Sequence, residues 1–380
     1  MVAAKKGLNC PLQGVLVKHI RRFGPCPIDM FHTFCLNHPA YGYYRTQDVL
    51  GKSGDFTTAP ELSPLFGDVV GAFFVERWQA LGCPSQITLL ELGPGLGTLM
   101  SAILRVGRQF PDFLKSTRVC LVEVHPQLKA EQRKKLAPFA SLLHSIEYLN
   151  SIEEVVSQKA ALGGGAVFVV ANEFFDVLPS KQYVKEKGSW LERFVDVSAQ
   201  GAFVCCNKKG ADPLFVEQAL ALRYPEDSIY EESAESIKTF GILCDVLQRK
   251  RGVALVIDYG YEKPALEQKG FRGDSWQGLF MREPVSPLLY PGLSDLSFHV
   301  NFSPFLRMAQ RRSLKTHFQT QRDFLMQCGA DKRLQKLRSS FSLRDYAKLK
   351  AGFLRLTDPL QMGSLFKVLT VESDGKTACS

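Results

Sequence analysis

A short apolar run, Ile87-Thr-Leu-Leu-Glu-Leu92, breaks into Gly93-Pro-Gly-Leu-Gly97. It continues at once as a stretch with Leu99, Ile103, Leu104 and Val106 at helical spacing. A strand that turns into a helix through a loop of glycines must bury both faces of that strand, which calls for a parallel neighbour and a crossover helix. The pattern recurs. Val119-Cys-Leu-Val-Glu123 precedes a helical stretch over 126–135, and Ala166-Val-Phe-Val-Val-Ala171, Val253-Ala-Leu-Val-Ile-Asp258 and Leu365-Phe-Lys-Val-Leu-Thr-Val371 follow as further strands. Alternation of this kind predicts an α/β fold with a doubly wound, mostly parallel, Rossmann-like sheet. Such sheets take ligands at the carboxyl ends of their strands.

Ahead of the first strand, residues 11–50 read as helices joined by turns at Gly24-Pro25 and His38-Pro39. A glycine-bearing loop, Gly51-Lys-Ser-Gly-Asp-Phe-Thr-Thr58, leads into one amphipathic helix over 60–81. The expected organisation is an N-terminal helical region, 1–85, packing on a core, 86–380, that carries insertions at about 180–250 and 262–360. The composition, 45% hydrophobic and 22% charged, is that of a folded chain. No apolar run approaches the ~20 residues that span a bilayer, and no apolar stretch of a secretory signal follows the first lysines. The ten cysteines are scattered without a Cys-x-x-Cys pair, so neither zinc nor a disulfide framework is expected, and no metal site is assigned.

The loop's chemistry narrows the ligand. Gly93, Gly95 and Gly97 let the backbone turn tightly and approach a ligand closely. Their spacing is Gly-x-Gly-x-Gly, not the Gly-x-Gly-x-x-Gly of dinucleotide sites, and no lysine follows as in a phosphate-binding loop. Glu91 stands two residues before the first glycine, where a carboxylate repels a pyrophosphate and suits a cation. S-adenosylmethionine, with its ammonium and sulfonium, meets that requirement. Glu123 ends the next strand and can accept from both hydroxyls of a ribose. A third group, Asn172-Glu-Phe-Phe-Asp-Val-Leu-Pro179, follows a buried strand and sits at the same end of the sheet. Glu173 and Asp176 there can pair with a guanidinium and take its proton. The bland reading is that Asn172 caps a turn while the aromatics pack the core. Asp258-Tyr-Gly260 ends a further strand under the same two readings, and His299 reads as a satisfied core histidine.

The net charge of +9 is concentrated. Residues 307–355 hold 13 Lys/Arg against three acids. Such a face can attract nucleic acid, an acidic protein or anionic lipid, although solvated surface helices produce the same pattern.

Seven blocks, taken together, carry a resemblance: Tyr41-Gly-Tyr-Tyr44, Gly54-Asp-Phe-Thr-Thr-Ala-Pro-Glu61, Glu91-Leu-Gly-Pro-Gly-Leu-Gly97, Leu121-Val-Glu-Val124, Asn172-Glu-Phe-Phe-Asp-Val-Leu-Pro179, Asp258-Tyr-Gly-Tyr261 and Asp358-Pro-Leu-Gln-Met-Gly363. In this order the chain resembles the MidA-type methyltransferases, a family that includes the mitochondrial complex I assembly factor 7. The resemblance implies a class I methyltransferase fold, S-adenosylmethionine as cofactor, and symmetric dimethylation of arginine on a respiratory complex I subunit in support of its assembly. It implies that Gly93, Gly95, Gly97 and Glu123 bind the cofactor, to which Glu91 is added by its position before the loop. It further implies that Gly54, Asp55 and Thr57 close over it, and that Glu173, Asp176 and Asn172 face the acceptor. The chain departs from the family at Ser275-Trp276, where Thr-Leu is usual, and at Asn301, where Asp is usual. Two other functions fit the same fold: an RNA methyltransferase using the basic segment, and a non-catalytic assembly scaffold. The expected compartment is a bacterial cytoplasm, with the mitochondrial matrix as the alternative.

Overall fold

The computed structural model describes residues 10–46, 58–157, 162–209, 224–262 and 272–373. Contacts divide the chain into two compact units: residues 57–175, 238–260 and 304–380 form one, and residues 1–56, 176–237 and 261–303 the other.

The first unit is built on one sheet. Its strands are β1 (Ile87–Leu92), β2 (Thr117–Val122), β3 (Ser145–Leu149), β4 (Ala166–Asn172), β5 (Gly252–Tyr261), β6 (Lys315–Thr320) and β7 (Phe366–Ser373). They lie in the order β6-β7-β5-β4-β1-β2-β3. β1 to β5 pair in parallel, and β7 runs antiparallel between β5 and β6. The chain winds outward from β1 to β3, then returns to place β4 on the other side of β1. The junction of β1 and β4 is therefore the switch point where the crevice of such a sheet opens. Register fixes what meets there: Leu92 is level with Val122 and with Ala171, and Ile257 with Asn172. The next residues along, Gly93, Glu123 and Asn172, therefore line up at the carboxyl ends of three adjacent strands, and Asp258 on the fourth lies one residue beyond them.

β1, β4 and β5 are buried at every position, as strands covered on both faces must be. The helix Pro64–Ala80 packs on the helix Thr98–Gly107 through small residues. A Cβ on Gly67 would stand 2.4 Å from that of Ala102, and one on Gly71 3.0 Å from that of Val106, so both glycines are there for close approach. The single helix expected over 60–81 is two, Ala59–Leu62 and Pro64–Ala80. Pro64 excludes its predecessor from helical backbone, and Ser63 is extended, its hydroxyl capping the second helix at Leu65 N–H. The helix Thr98–Gly107 is followed by another, Pro111–Ser116, which Pro111 opens.

The second unit combines two N-terminal helices with antiparallel strands. Pro11–Phe23 buries Leu12, Leu16 and Ile20, and Ile28–Asn37 buries Phe31, His32, Cys35 and Leu36. The strands Lys181–Glu186, Ser189–Val197, Phe203–Lys208 and Ile229–Glu232, with Cys26–Pro27, make one sheet, and Gln277–Phe280, Glu283–Val285 and Asp295–Ser297 a smaller one. Trp276 stacks on Phe298 and meets Phe31 edge-on.

This division differs from the boundary expected at residue 85. Residues 57–85 belong with the large sheet because Pro64–Ala80 supplies much of its core, including Val70, Phe74 and Trp78. Residues 304–360, expected within an insertion, supply β6 and the helices that follow it. Among the described residues, no helix is long and apolar enough to cross a membrane.

Candidate active site

The glycine loop is held from beneath. Gly93, Gly95 and Gly97 all have positive φ (62°, 49° and 72°), a conformation that costs other residues about 1–2 kcal/mol. Gly97 occupies the N-cap of the helix Thr98–Gly107 and has no side chain to cap it. Glu91 does so instead, its carboxylate accepting from the Met100 amide. Glu91 is buried, and its Oε2 has no hydrogen-bond partner among the described residues. Burial raises its pKa to about 8; the neighbouring Glu123 adds to the rise and the Met100 amide opposes it. Among the described residues, nothing stands within 4 Å of a Cβ built on Gly95.

Glu123 is anchored at the end of β2. Its Oε1 accepts from His125 N–H at 2.9 Å, and burial moves its pKa up against the amides of His125 and Val124. Gln132 is the residue that sequence reasoning missed. It is fully buried on the helix Pro126–Leu136, and its Nε2 donates to the Gly95 carbonyl at 2.7 Å, fixing the crest of the loop. The available signal was its register: Leu128, Gln132 and Leu136 form the inward stripe of an otherwise charged helix.

At the end of β4 the backbone turns sharply. Glu173 has φ +50°, and its amide donates to the Ile257 carbonyl at 2.9 Å. The turn is secured by Asp258, which is fully buried. Its Oδ2 accepts from Phe174 N–H at 3.2 Å and Phe175 N–H at 3.0 Å, and its Oδ1 from Tyr259 N–H at 3.1 Å. Glu173 Oε1 accepts from the side-chain Nδ2–H of Asn172 at 3.2 Å and from the N–H of Ala59, the first residue of the helix Ala59–Leu62, at 3.0 Å. Phe174 reaches the glycine loop, where a Cβ on Gly93 would stand 2.8 Å from its ring. Glu91, Gly93, Gly95, Gly97, Glu123, Asn172 and Glu173 are thus assembled at one edge of one sheet. Asp176 opens the other unit; it is buried, and its carbonyl accepts from Phe298 N–H at 2.8 Å. Gly54, Asp55 and Thr57 lie outside the described residues.

The departures from the family pattern fall in the second unit: Ser275 and Trp276 are buried, and Asn301 is half-buried, its Oδ1 accepting from Ser303 N–H at 3.1 Å. Trp276 Nε1–H donates to His32 Nδ1 at 3.4 Å, and the other ring nitrogen of His32 bonds the Val177 carbonyl at 2.9 Å. Burial lowers the His32 pKa to about 4, so the ring is neutral, with the proton on Nε2 if it is to serve both partners. Ser275 bonds the buried Glu231 through both its amide and its hydroxyl. His299 is half-buried and its amide donates to Ser275 Oγ.

Among the described residues, a tight loop under open space, a buried carboxylate oxygen without a hydrogen-bond partner and a second acid one strand along suit a nucleoside that carries positive charge. A family model described as "Putative S-adenosyl-L-methionine-dependent methyltransferase" matches residues 69–320. The "Protein arginine methyltransferase NDUFAF7, mitochondrial" of Rattus norvegicus is 32% identical over 401 residues, covering 97% of this chain and 88% of the relative. The protein of the same name from Homo sapiens is 32% identical over 94% of this chain and 82% of its own. A crystal structure of an uncharacterised protein from Burkholderia thailandensis superposes with TM-score 0.79 at 25% identity, covering 97% of this chain and 94% of that one. Another from the same organism, bound to S-adenosyl-homocysteine, shares the fold with TM-score 0.80 at 24% identity over 95% of this chain and 91% of that one. By the family match and by full-length relatives above 30% identity, the chain belongs to the S-adenosyl-L-methionine-dependent methyltransferases.

Proposed function

We propose that the chain is a protein arginine N-methyltransferase that forms symmetric dimethylarginine on a subunit of respiratory complex I and so supports its assembly. The observation that carries the reading is Glu173, a carboxylate held in a strained turn at the switch point and beside the glycine loop. The relatives named protein arginine methyltransferase support the acceptor, and their mitochondrial names support the matrix over a bacterial cytoplasm.

In this reading Gly93, Gly95, Gly97 and Glu91 hold the amino-acid end of S-adenosylmethionine and Glu123 its ribose, with Gly54, Asp55 and Thr57 closing over it. When bound, the cofactor supplies an already activated sulfonium methyl, so the protein contributes position and electrostatics. Asn172 and Ala59 N–H orient the Glu173 carboxylate, which pairs with the acceptor guanidinium and takes the proton that its nitrogen releases on methylation. Asp176 faces the acceptor with it. The RNA reading rests on charge alone, and part of that charge is spent within the fold: Arg312 is paired with Asp245, Arg333 with Asp68, and Arg322 with the Thr357 carbonyl.

The test is Glu173→Gln. The amide oxygen can still accept from Ala59, so the turn survives, and S-adenosylmethionine binding by calorimetry should match wild type. Methyl transfer to complex I subunits, read by mass spectrometry of arginine, should fall ~10²-fold or more. Full turnover by the variant would refute the role of Glu173, and methylation of a residue other than arginine would refute the acceptor.

A further inference from the structure

One helix of the sheet-bearing unit turns the wrong kind of face to solvent. Leu343–Thr357 starts with a reciprocal cap, in which Asp345 N–H donates to Ser342 Oγ and the Ser342 hydroxyl donates to Asp345 Oδ2. Its inner face is settled: Leu349 packs with Leu65 and Leu334, and Tyr346 and Phe353 join them. The outer face is not polar. Leu343, Ala347, Ala351 and Leu354 are all exposed and recur at helical spacing, with Leu343 90% exposed. The stripe continues beyond both ends, to exposed Phe341 before the helix and to Leu360, 94% exposed, after it.

Basic residues flank this stripe. Arg344, Lys348, Lys350 and Arg355 are exposed on the same helix, and its acid, Asp345, is committed to the cap. Among the described residues, Arg344, Lys350 and Arg355 enter no ion pair. Lys348 lies 4.0 Å from Asp345, at the edge of contact.

We propose that the helix Leu343–Thr357 docks the protein flat on an anionic lipid bilayer, with Leu343 and Leu354 entering the headgroup boundary and Arg344, Lys348, Lys350 and Arg355 at the phosphates. The charge selects the partner's sign. The shape selects a bilayer over a protein groove, because a stripe with two alanines at its centre offers no bulky anchors to fill pockets. It is instead a shallow convex face with leucines toward its ends and long cationic stems that reach back to the surface. At about 1.5 Å per residue the fifteen-residue helix presents ~22 Å of such face. The inference is independent of the acceptor proposed above.

The experiment is vesicle flotation of the full chain at low and at physiological salt, with phosphatidylcholine vesicles and with phosphatidylcholine containing phosphatidylglycerol. Wild type should float with the anionic vesicles alone, and less so as salt rises. Arg344→Gln with Lys348→Gln and Arg355→Gln should weaken binding by roughly 100-fold, about fivefold per charge. Leu343→Ser with Leu354→Ser alters only exposed positions and should also abolish flotation, while methyl transfer in solution stays at the wild-type level. Equal binding to both vesicle types, binding to neither, or undiminished binding by the leucine pair would each overturn the proposal. Capture by immobilised polyglutamate without any vesicle binding would overturn it in favour of an acidic protein.

Discussion

Glu91→Gln separates the energetics of the empty site from those of ligand binding. Burial holds the Glu91 proton until about pH 8, whereas an unfolded chain releases it near 4.5. Below about pH 4.5 both states are protonated and the carboxyl costs nothing. Between there and about 8 the folded state keeps a proton that the unfolded state has lost, so stability falls with rising pH by about 1.4 kcal/mol per pH unit. Glutamine mimics the protonated acid and can still accept from Met100 N–H, so it removes that slope. The difference in unfolding free energy between variant and wild type, measured by urea titration without ligand, should therefore shift by ~2 kcal/mol in the variant's favour between pH 6 and 7.5. Ligand binding should move the other way. A hydrogen bond to a charged group contributes about 1.5–3 kcal/mol where a neutral one contributes about 0.5–1.5, so S-adenosylmethionine should bind Glu91→Gln roughly 10-fold more weakly by calorimetry. Wild-type affinity should rise with pH toward 8, while that of the variant stays flat. A pH-independent stability difference together with unchanged affinity would refute both the protonated state and the contact with a cation.

Three further substitutions test the supporting structure. Asp258→Asn can keep the Phe174 and Phe175 bonds only by turning its amide toward Tyr259 N–H. It should cost about 1–3 kcal/mol in urea unfolding and ~10²-fold in turnover, through a displaced Glu173; wild-type turnover would show that the turn holds without it. Gly93→Ala adds a Cβ 2.8 Å from Phe174 at φ +62°, and should lose about 1–3 kcal/mol of stability and most S-adenosylmethionine binding. Unchanged calorimetric titration would remove Gly93 from the site. Trp276→Leu, which restores the residue usual in the family, should destabilise by ~3 kcal/mol, because it empties the stack on Phe298 and leaves His32 Nδ1 without its donor. A loss below ~1 kcal/mol would show that the second unit repacks around leucine.

Residues whose environment is local were legible in the sequence. The glycine loop, Glu91 and Glu123 sit within one strand-loop-helix pattern and its repeat, and their alignment follows from parallel pairing. Gln132 was hidden because a buried glutamine on a charged helix looks like one more polar residue. Its partner, the Gly95 carbonyl, leaves no trace in composition. The Ala59–Glu173 bond spans 114 positions, so no window of sequence contains both ends. The edge strands β3 and β6 have few fully buried positions and lack the apolar run that marked β1 and β4. The break at Ser63-Pro64 was visible as a proline, but the apolar spacing on either side outweighed it in a periodicity reading.

The position of β7 has a consequence for how the chain is made. The last strand among the described residues, Phe366–Ser373, lies between β5 and β6, and β6 pairs along its length with β7. During synthesis β5 emerges more than a hundred residues before the strand that covers its open edge, and β6 has no partner until the same moment. The nascent chain therefore carries two unpaired, apolar-flanked edges for several seconds at ~5–20 residues per second. Ribosome-associated chaperones are expected to hold it there, and the emergence of β7 is the event that lets the sheet close.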